Sequence, residues 1–231
     1  MDTTNRLSDY NHPLIQSKVI ELTQDKETLV GKLESIFYYV RDGIKFGFPP
    51  KWDVVKASEV MGYGVGYCNT KATLFVALCK AAGIPARVHC AAIDINIMRG
   101  ILPDMAFPFM PKAGSHAWVD VLIDDQWKSI DSYINDKMLY EGSLKKLKES
   151  GKSLGYSVSF INGQSSCEFN FGEKGFVHMG AVKTDHGSWE DISEYFATDK
   201  YVRLNAAQRL AVKMFVPLLN SKLERIRSTA K

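Results

Sequence analysis

Between residues 68 and 82 the chain places apolar side chains at Ala72, Leu74, Phe75, Val76, Ala77, Leu78, Ala81 and Ala82. A helix drawn through them is apolar on nearly every side, which predicts a buried core helix rather than an amphipathic surface one. Gly83 and Pro85 end it, glycine because it accepts the left-handed conformation and proline because it cannot continue the helix. Upstream, residues 13–40 predict two helices. The second starts near Asp25 as N-cap, carries Leu29, Leu33, Ile36, Phe37 and Val40 at helical spacing, and stops at Gly43. An extended stretch over 44–50, a brief helix over 57–61 and the loop Gly62-Tyr63-Gly64-Val65-Gly66 then lead to residue 68, the three glycines letting the backbone turn sharply.

Downstream, Ala, Val and Ile dominate residues 86–95 and predict a strand. Residues 96–114 interleave Gly100, Pro103, Pro108, Pro111 and Gly114 with apolar side chains. That pattern predicts a loop tucked against the domain or a flap lining a substrate site. A hairpin follows, 116–123 with 126–133, turning at Asp124-Asp125. The remainder predicts a charged surface helix over 139–153, short strands and turns over 156–186, and a capped helix over 188–196 with Glu190 and Asp191 in its first turn. A final helix over 205–227 is expected to bend or break at Pro217.

Composition narrows the function classes. With 231 residues, 45% of them hydrophobic, the chain has material for a core without metal or disulfide staples, and one domain over 1–231 is expected. No stretch approaches the ~20 apolar residues of a membrane span, and the first residues carry no apolar signal region; the expectation is a cytoplasmic protein. The net charge of +3 is small, and the basic C-terminus (Lys222, Arg225, Arg227, Lys231) lacks the aromatic interleaving of a nucleic-acid surface. The four cysteines, at 68, 79, 90 and 167, form no CxxC pair and have no histidine at zinc-ligand spacing, so free thiols, no metal and no cofactor are expected. For the same reason His89, His178 and His186 read as structural or surface histidines rather than ligands.

Cys68 is the residue with chemistry to offer. At a helix start, free N–H groups and the helix dipole favour negative charge, so a thiolate there is stabilised relative to one in an apolar interior. A cysteine beginning a helix is commonly structural, and a nucleophile also needs a base and a group that orients the base. The hairpin can supply both. A two-residue turn pairs Ile123 with Gln126, which sets Trp118 opposite Asp131 and makes His116 the diagonal neighbour of Asp131. Such diagonals, ~7–8 Å apart at the backbone, are within reach of one imidazole–carboxylate hydrogen bond. Asp120 shares this face and is either a substrate contact or a partner for a nearby side chain. Cys79 shares the Cys68 helix face but lies ~16 Å away; it and Cys90 read as core thiols.

Four motifs in order, Gly66-Tyr67-Cys68, the helix ending Ala-Ala-Gly-Ile-Pro-Ala-Arg, Ser115-His116-Ala117-Trp118-Val119 and Trp127-Lys128-Ser129-Ile130-Asp131, resemble the transglutaminase-like superfamily, which is papain-like in fold. The resemblance runs from about Phe37 to Tyr133 and includes Tyr39-Val40-Arg41-Asp42; residues 139–231 carry no recognisable family pattern. It implies an α+β fold in which a central nucleophile helix packs on an antiparallel sheet. It also implies a Cys-His-Asp triad of Cys68 as nucleophile, His116 as general base and acid, and Asp131 as orienter. The implied activity is thiol-dependent acyl chemistry, first of all hydrolysis of an amide or peptide bond through a thioester. The alternatives are acyl transfer to an amine, a biosynthetic reaction on a small acyl substrate, and a non-catalytic binding or assembly module. Beside the Cys68 backbone N–H, the candidates for oxyanion or substrate contact are Trp52, Tyr63, Tyr67 and Trp118.

Overall fold

The computed structural model describes residues 6–203 and 205–230; the expectations for the first five residues and for Lys231 lie outside them. Helices α1 (Pro13–Thr23) and α2 (Leu29–Tyr38) open the chain, and α2 runs into one wide turn at Tyr39–Gly43. The N-cap of α2 is Thr28, whose hydroxyl accepts from the Gly31 N–H, and not Asp25. The cap thus sits directly before the first apolar residue of the stripe, Leu29. A two-residue strand β1 (Lys45–Phe46) pairs in parallel with β2 (Val65–Gly66), which follows α3 (Ala57–Tyr63). This clip holds the glycine loop against the extended segment.

Helix α4 (Cys68–Ala81) is buried at every position from Cys68 to Cys79. Its charged residue Lys71 is accommodated by donating to the carbonyl oxygens of Arg41 and Ile134 at 3.1 and 2.8 Å. Strands β3 (Ala86–Asp94), β4 (Ala113–Ile123), β5 (Gln126–Ile130) and β8 (Val182–Trp189) form a four-stranded sheet in the order β5-β4-β3-β8, antiparallel throughout. Ala117, Val119, Val121 and Ile130 point from it toward α4, and all are fully buried. The chain is therefore α+β, with the central helix packed on an antiparallel sheet.

The hairpin has the expected register, Ile123 with Gln126 and Asp120 with Ser129. Asp124 and Asp125 have φ of 49° and 59°, the signature of a type I′ turn. Pairing stops at Val119 with Ile130, one residue short of the expected Trp118–Asp131 pair. The chain leaves the ladder there because Tyr133 turns inward, its ring centroid 4.7 Å from that of Phe75. Between β5 and β8 lie α5 (Lys137–Ser150) and the short pair β6 (Leu154–Gly155) and β7 (Val158–Ser159). Helix α5 is half-buried rather than a surface helix, with Leu139, Tyr140 and Leu147 turned inward.

The expected helix over 188–196 is shorter. Residues 188 and 189 extend β8 along β3, and α6 covers only Ile192–Phe196, capped by Asp191. The last helix, α7 (Ala206–Ser228), continues through Pro217 and is not broken by it. One apolar cluster joins Ile15 and Val19 of α1, the α4 side chains, the inner sheet face and Leu219, Leu223 and Ile226 of α7.

Candidate active site

Cys68 is the first residue of α4. The preceding Tyr67 is extended, and its N–H donates to Thr70 Oγ1 at 3.0 Å, closing the first turn. Gly66 is required by contact rather than by its dihedral angle: a Cβ there would lie 2.8 Å from Thr70 Oγ1 and 3.0 Å from Lys71 Cγ. The Sγ of Cys68 lies 3.7 Å from the Ser115 carbonyl oxygen and 3.7 Å from Asn69 Oδ1. Ser115 belongs to β4, so the thiol faces the strand that carries His116.

His116 and Asp131 are both fully buried, and His116 Nε2 is 3.3 Å from Asp131 Oδ1. Burial opposes the imidazolium, but the Asp131 charge and the neighbouring Cys68 outweigh that and lift His116 to about 10. Asp131 moves the other way. Burial raises it, yet the His116 charge, followed by smaller contributions from His178, holds it below the usual carboxylate range. Both shifts favour the charged pair. The 3.3 Å approach is an ion pair without hydrogen-bond alignment, and His116 Nδ1, on the opposite side of the ring, also has no hydrogen-bond partner among the described residues.

A residue set aside as structural by sequence reasoning stands next to this pair. His178 donates its backbone N–H to Asp131 Oδ2 at 3.1 Å, and its ring centroid is 5.1 Å from that of His116. Its Nε2 lies 2.8 Å from the Ser157 carbonyl oxygen. A carbonyl only accepts, so Nε2 carries the proton and Nδ1 the lone pair. Burial drives His178 down to about 4, with Asp131 opposing, so it is a neutral imidazole near pH 7. His178 lies 47 residues beyond Asp131 in a segment of short turns, and no periodicity ties the two together. His116, Asp131 and His178 each bring one potential ligand atom within 4.8 Å of the others, so this trio could hold a metal ion.

Cys68 and His116 open onto a cavity of about 460 Å³. Trp52 and Tyr67 line it. Trp52 is held at φ 61°, a costly conformation for a bulky side chain, and stacks on Phe48 with ring centroids 5.1 Å apart. The Tyr67 hydroxyl is engaged by Asp53, which also takes the Tyr201 hydroxyl and, at 2.8 Å, the Asn69 amide. Burial pushes Asp53 up despite these three donors.

The other sequence candidates lie elsewhere. Tyr63 ends α3, packs partly buried against the core and does not line the cavity. Trp118 and Asp120 share the face of β4 that carries His116, with the Trp118 ring centroid 5.8 Å from that of His116, but they lie farther along the strand and do not line the cavity. Trp118 stacks on His89 at 4.2 Å and donates its indole N–H to Ser129 Oγ at 3.2 Å. Asp120 takes His89 Nδ1 at 2.9 Å and the hydroxyls of Ser129 and Ser188 at 2.7 and 2.9 Å. Asp120 is therefore the centre of a polar network that covers the sheet's outer face, and it makes no contact with the cavity.

A family model described as the transglutaminase-like superfamily matches residues 16–132, a little over half of the chain. No curated protein matches it. Among solved structures, a candidate cysteine protease from Cytophaga hutchinsonii is similar over 84% of this chain and 50% of its own, with 13% identity and a TM-score of 0.49. A candidate protease from Parabacteroides distasonis is similar over 55% of this chain and 24% of its own, with 17% identity and a TM-score of 0.39. The chain thus spans half or less of the length of these two proteins. Among the described residues, no helix is long and apolar enough to cross a membrane.

Proposed function

Because the chain belongs to the transglutaminase-like superfamily, we propose that it is a thiol-dependent enzyme that cleaves an amide bond through Cys68, His116 and Asp131. The observation that supports this most is a single one: a helix-start cysteine shares one cavity with His116, whose Nε2 lies 3.3 Å from the buried Asp131 carboxylate behind it. In this reading His116, held charged by Asp131, already carries the thiol proton on Nδ1, and Sγ attacks the acyl carbon. The C–N bond breaks, the leaving amine takes the proton back from His116, and a thioester remains on Cys68. Water then attacks the thioester, giving its proton to His116, and the C–S bond breaks as the acid departs, leaving sulfur beside the charged His116 as at the start.

Asp131 stabilises the imidazolium that forms in each step and fixes the ring so that Nδ1 faces sulfur. The carbonyl oxygen, negative in the tetrahedral intermediate, would receive the Cys68 backbone N–H, a contact of about 3–4 kcal/mol per donor. Of the aromatic candidates, Trp52 is placed best as a second donor, since Tyr63 lies off the cavity and the Tyr67 hydroxyl is taken by Asp53. An amine in place of water would turn hydrolysis into transfer on the same residues.

Alkylation tests the reading. Iodoacetamide at pH 7.5 followed by peptide mapping is expected to label Cys68 far ahead of Cys79, Cys90 and Cys167. Burial raises all three of those thiols, Cys167 to about 12. Labelling of Cys68 that is slow, or unchanged in His116→Ala, would remove the nucleophile from the proposal.

A further inference from the structure

The cavity beyond the thiol is almost wholly apolar. Ile93, Ile97 and Leu102 form one side, Met110 lies above, and Phe215 and Leu219 of α7 close the other. Among the described residues, no lysine, arginine or glutamate lines it, and its one carboxyl group, Asp53, is already held by three donors. Most polar groups in the wall gather around Cys68 (Asn69, Ser115, His116, Ser157 and His178), and the exception on α7, Gln208, accepts the Asn205 N–H with its Oε1. A polypeptide in this space would bury backbone N–H and C=O groups with little to pair them, which is costly. An aliphatic chain would leave nothing unpaired.

Size and access agree with such an occupant. About 460 Å³ falls within the ~300–1,000 Å³ usual for small-molecule sites. Taking a methylene as about the ~30 Å³ share of a liquid water, the cavity has room for roughly 15 of them. The flap over 100–114 forms the roof, and two of its lining side chains, Met105 and Phe109, are 80% and 81% exposed, so the mouth is apolar as well.

We propose that the group accepted by Cys68 is a long unbranched acyl chain, bound in this cavity with its carbonyl at the thiol, and that the substrate is therefore an N-acyl amide of fatty-acid type. The proposal rests on the thiol reading for its chemistry, while the binding half stands on the cavity alone. Catalysis and binding are therefore measured separately. With acyl p-nitroanilides from acetyl to arachidoyl, kcat/KM is expected to rise about fourfold per methylene while the chain is being buried, and to level off near the length the cavity holds. Ile95→Trp, which adds bulk to the cavity wall, is expected to move that plateau to shorter chains.

Binding is read with Cys68→Ala and a dansylated undecanoyl amide. Saturable fluorescence enhancement is expected, weakened at least tenfold in the Cys68→Ala protein that also carries Met105→Asp and Phe109→Asp, with far-ultraviolet circular dichroism checking that this variant is folded. No enhancement, a flat chain-length series, or faster turnover of a polar peptidyl anilide would overturn the acyl pocket. Enhancement by Cys68→Ala together with no turnover by the unmodified enzyme would support the pocket and overturn the thiol chemistry instead.

Discussion

His116 and Asp131 are a buried ion pair, so each charge is tolerable only because of the other. Asp131→Ala would leave a buried histidine with no counter-charge and cost about 3–5 kcal/mol. Asp131→Asn keeps the shape and the His178 N–H contact but removes the charge that lifts His116. The expected result in Asp131→Asn is a loss of ~10²-fold or more in turnover with a much smaller fall in Tm than in Asp131→Ala. Steady-state kinetics beside a thermal melt checks both. At this scale the sequence was informative about identity: Cys68, His116 and Asp131 stand out by type and order. It set His178 aside as a structural or surface histidine, because contact between segments 47 residues apart leaves no local pattern.

Among the elements, the hairpin was legible down to its register, since alternation fixes the faces and a two-residue turn fixes the pairing. Its turn holds two aspartates at positive φ, where an L-residue is disfavoured by ~1–2 kcal/mol. Asp125→Gly gives the Asp-Gly pair that this turn prefers and is expected to raise Tm by a few degrees, measured by differential scanning calorimetry. Less legible was where strands stop. Asp131 falls just past the ladder because the burial of Tyr133 outweighs one more pair of strand hydrogen bonds. The α5–α7 crossing was not legible either. At Gly142 a Cβ would lie 2.1 Å from the Ile226 carbonyl oxygen, so Gly142→Ala must push the helices apart. A loss of about 1–3 kcal/mol is expected in urea unfolding, although in sequence Gly142 is only a weak spot in a charged helix.

For the whole molecule, pH acts through buried groups of opposite sign. His116 is raised from 6.5 to about 10, so its contribution to stability is complete below pH 6.5 and is lost as pH rises toward 10. Asp131 is lowered from 3.8, so its contribution is present above pH 3.8 and is lost as pH falls further. Lys71 opposes the histidine at high pH. Burial lowers it from 10.5 to about 7 in spite of Asp136 and Asp42, so the folded chain holds its proton less tightly and the resulting destabilisation eases between pH 7 and 10.5. Denaturant unfolding across pH 5 to 10 is expected to show a steeper decline above pH 7 in Lys71→Met than in the unmodified protein, because the compensating slope is gone.

The sequence by itself determined the fold class, the central buried helix, the hairpin register and the three residues proposed to do the chemistry. The helix and the register follow from local periodicity and turn chemistry, while the fold class and the roles of the three residues are what the resemblance of the ordered motifs implies; both kinds of signal survive in a linear string. Only the tertiary structure decided what surrounds them. The flap roof, the α7 wall and His178 come from segments remote from Cys68, and the space they enclose is set by packing that no single segment encodes. The same packing left Trp118 and Asp120 off the cavity, farther along the strand face that carries His116, where His89, Ser129 and Ser188 satisfy them. A strand's alternation says which residues share a face, but the packing around the sheet decides how far along that face the cavity reaches.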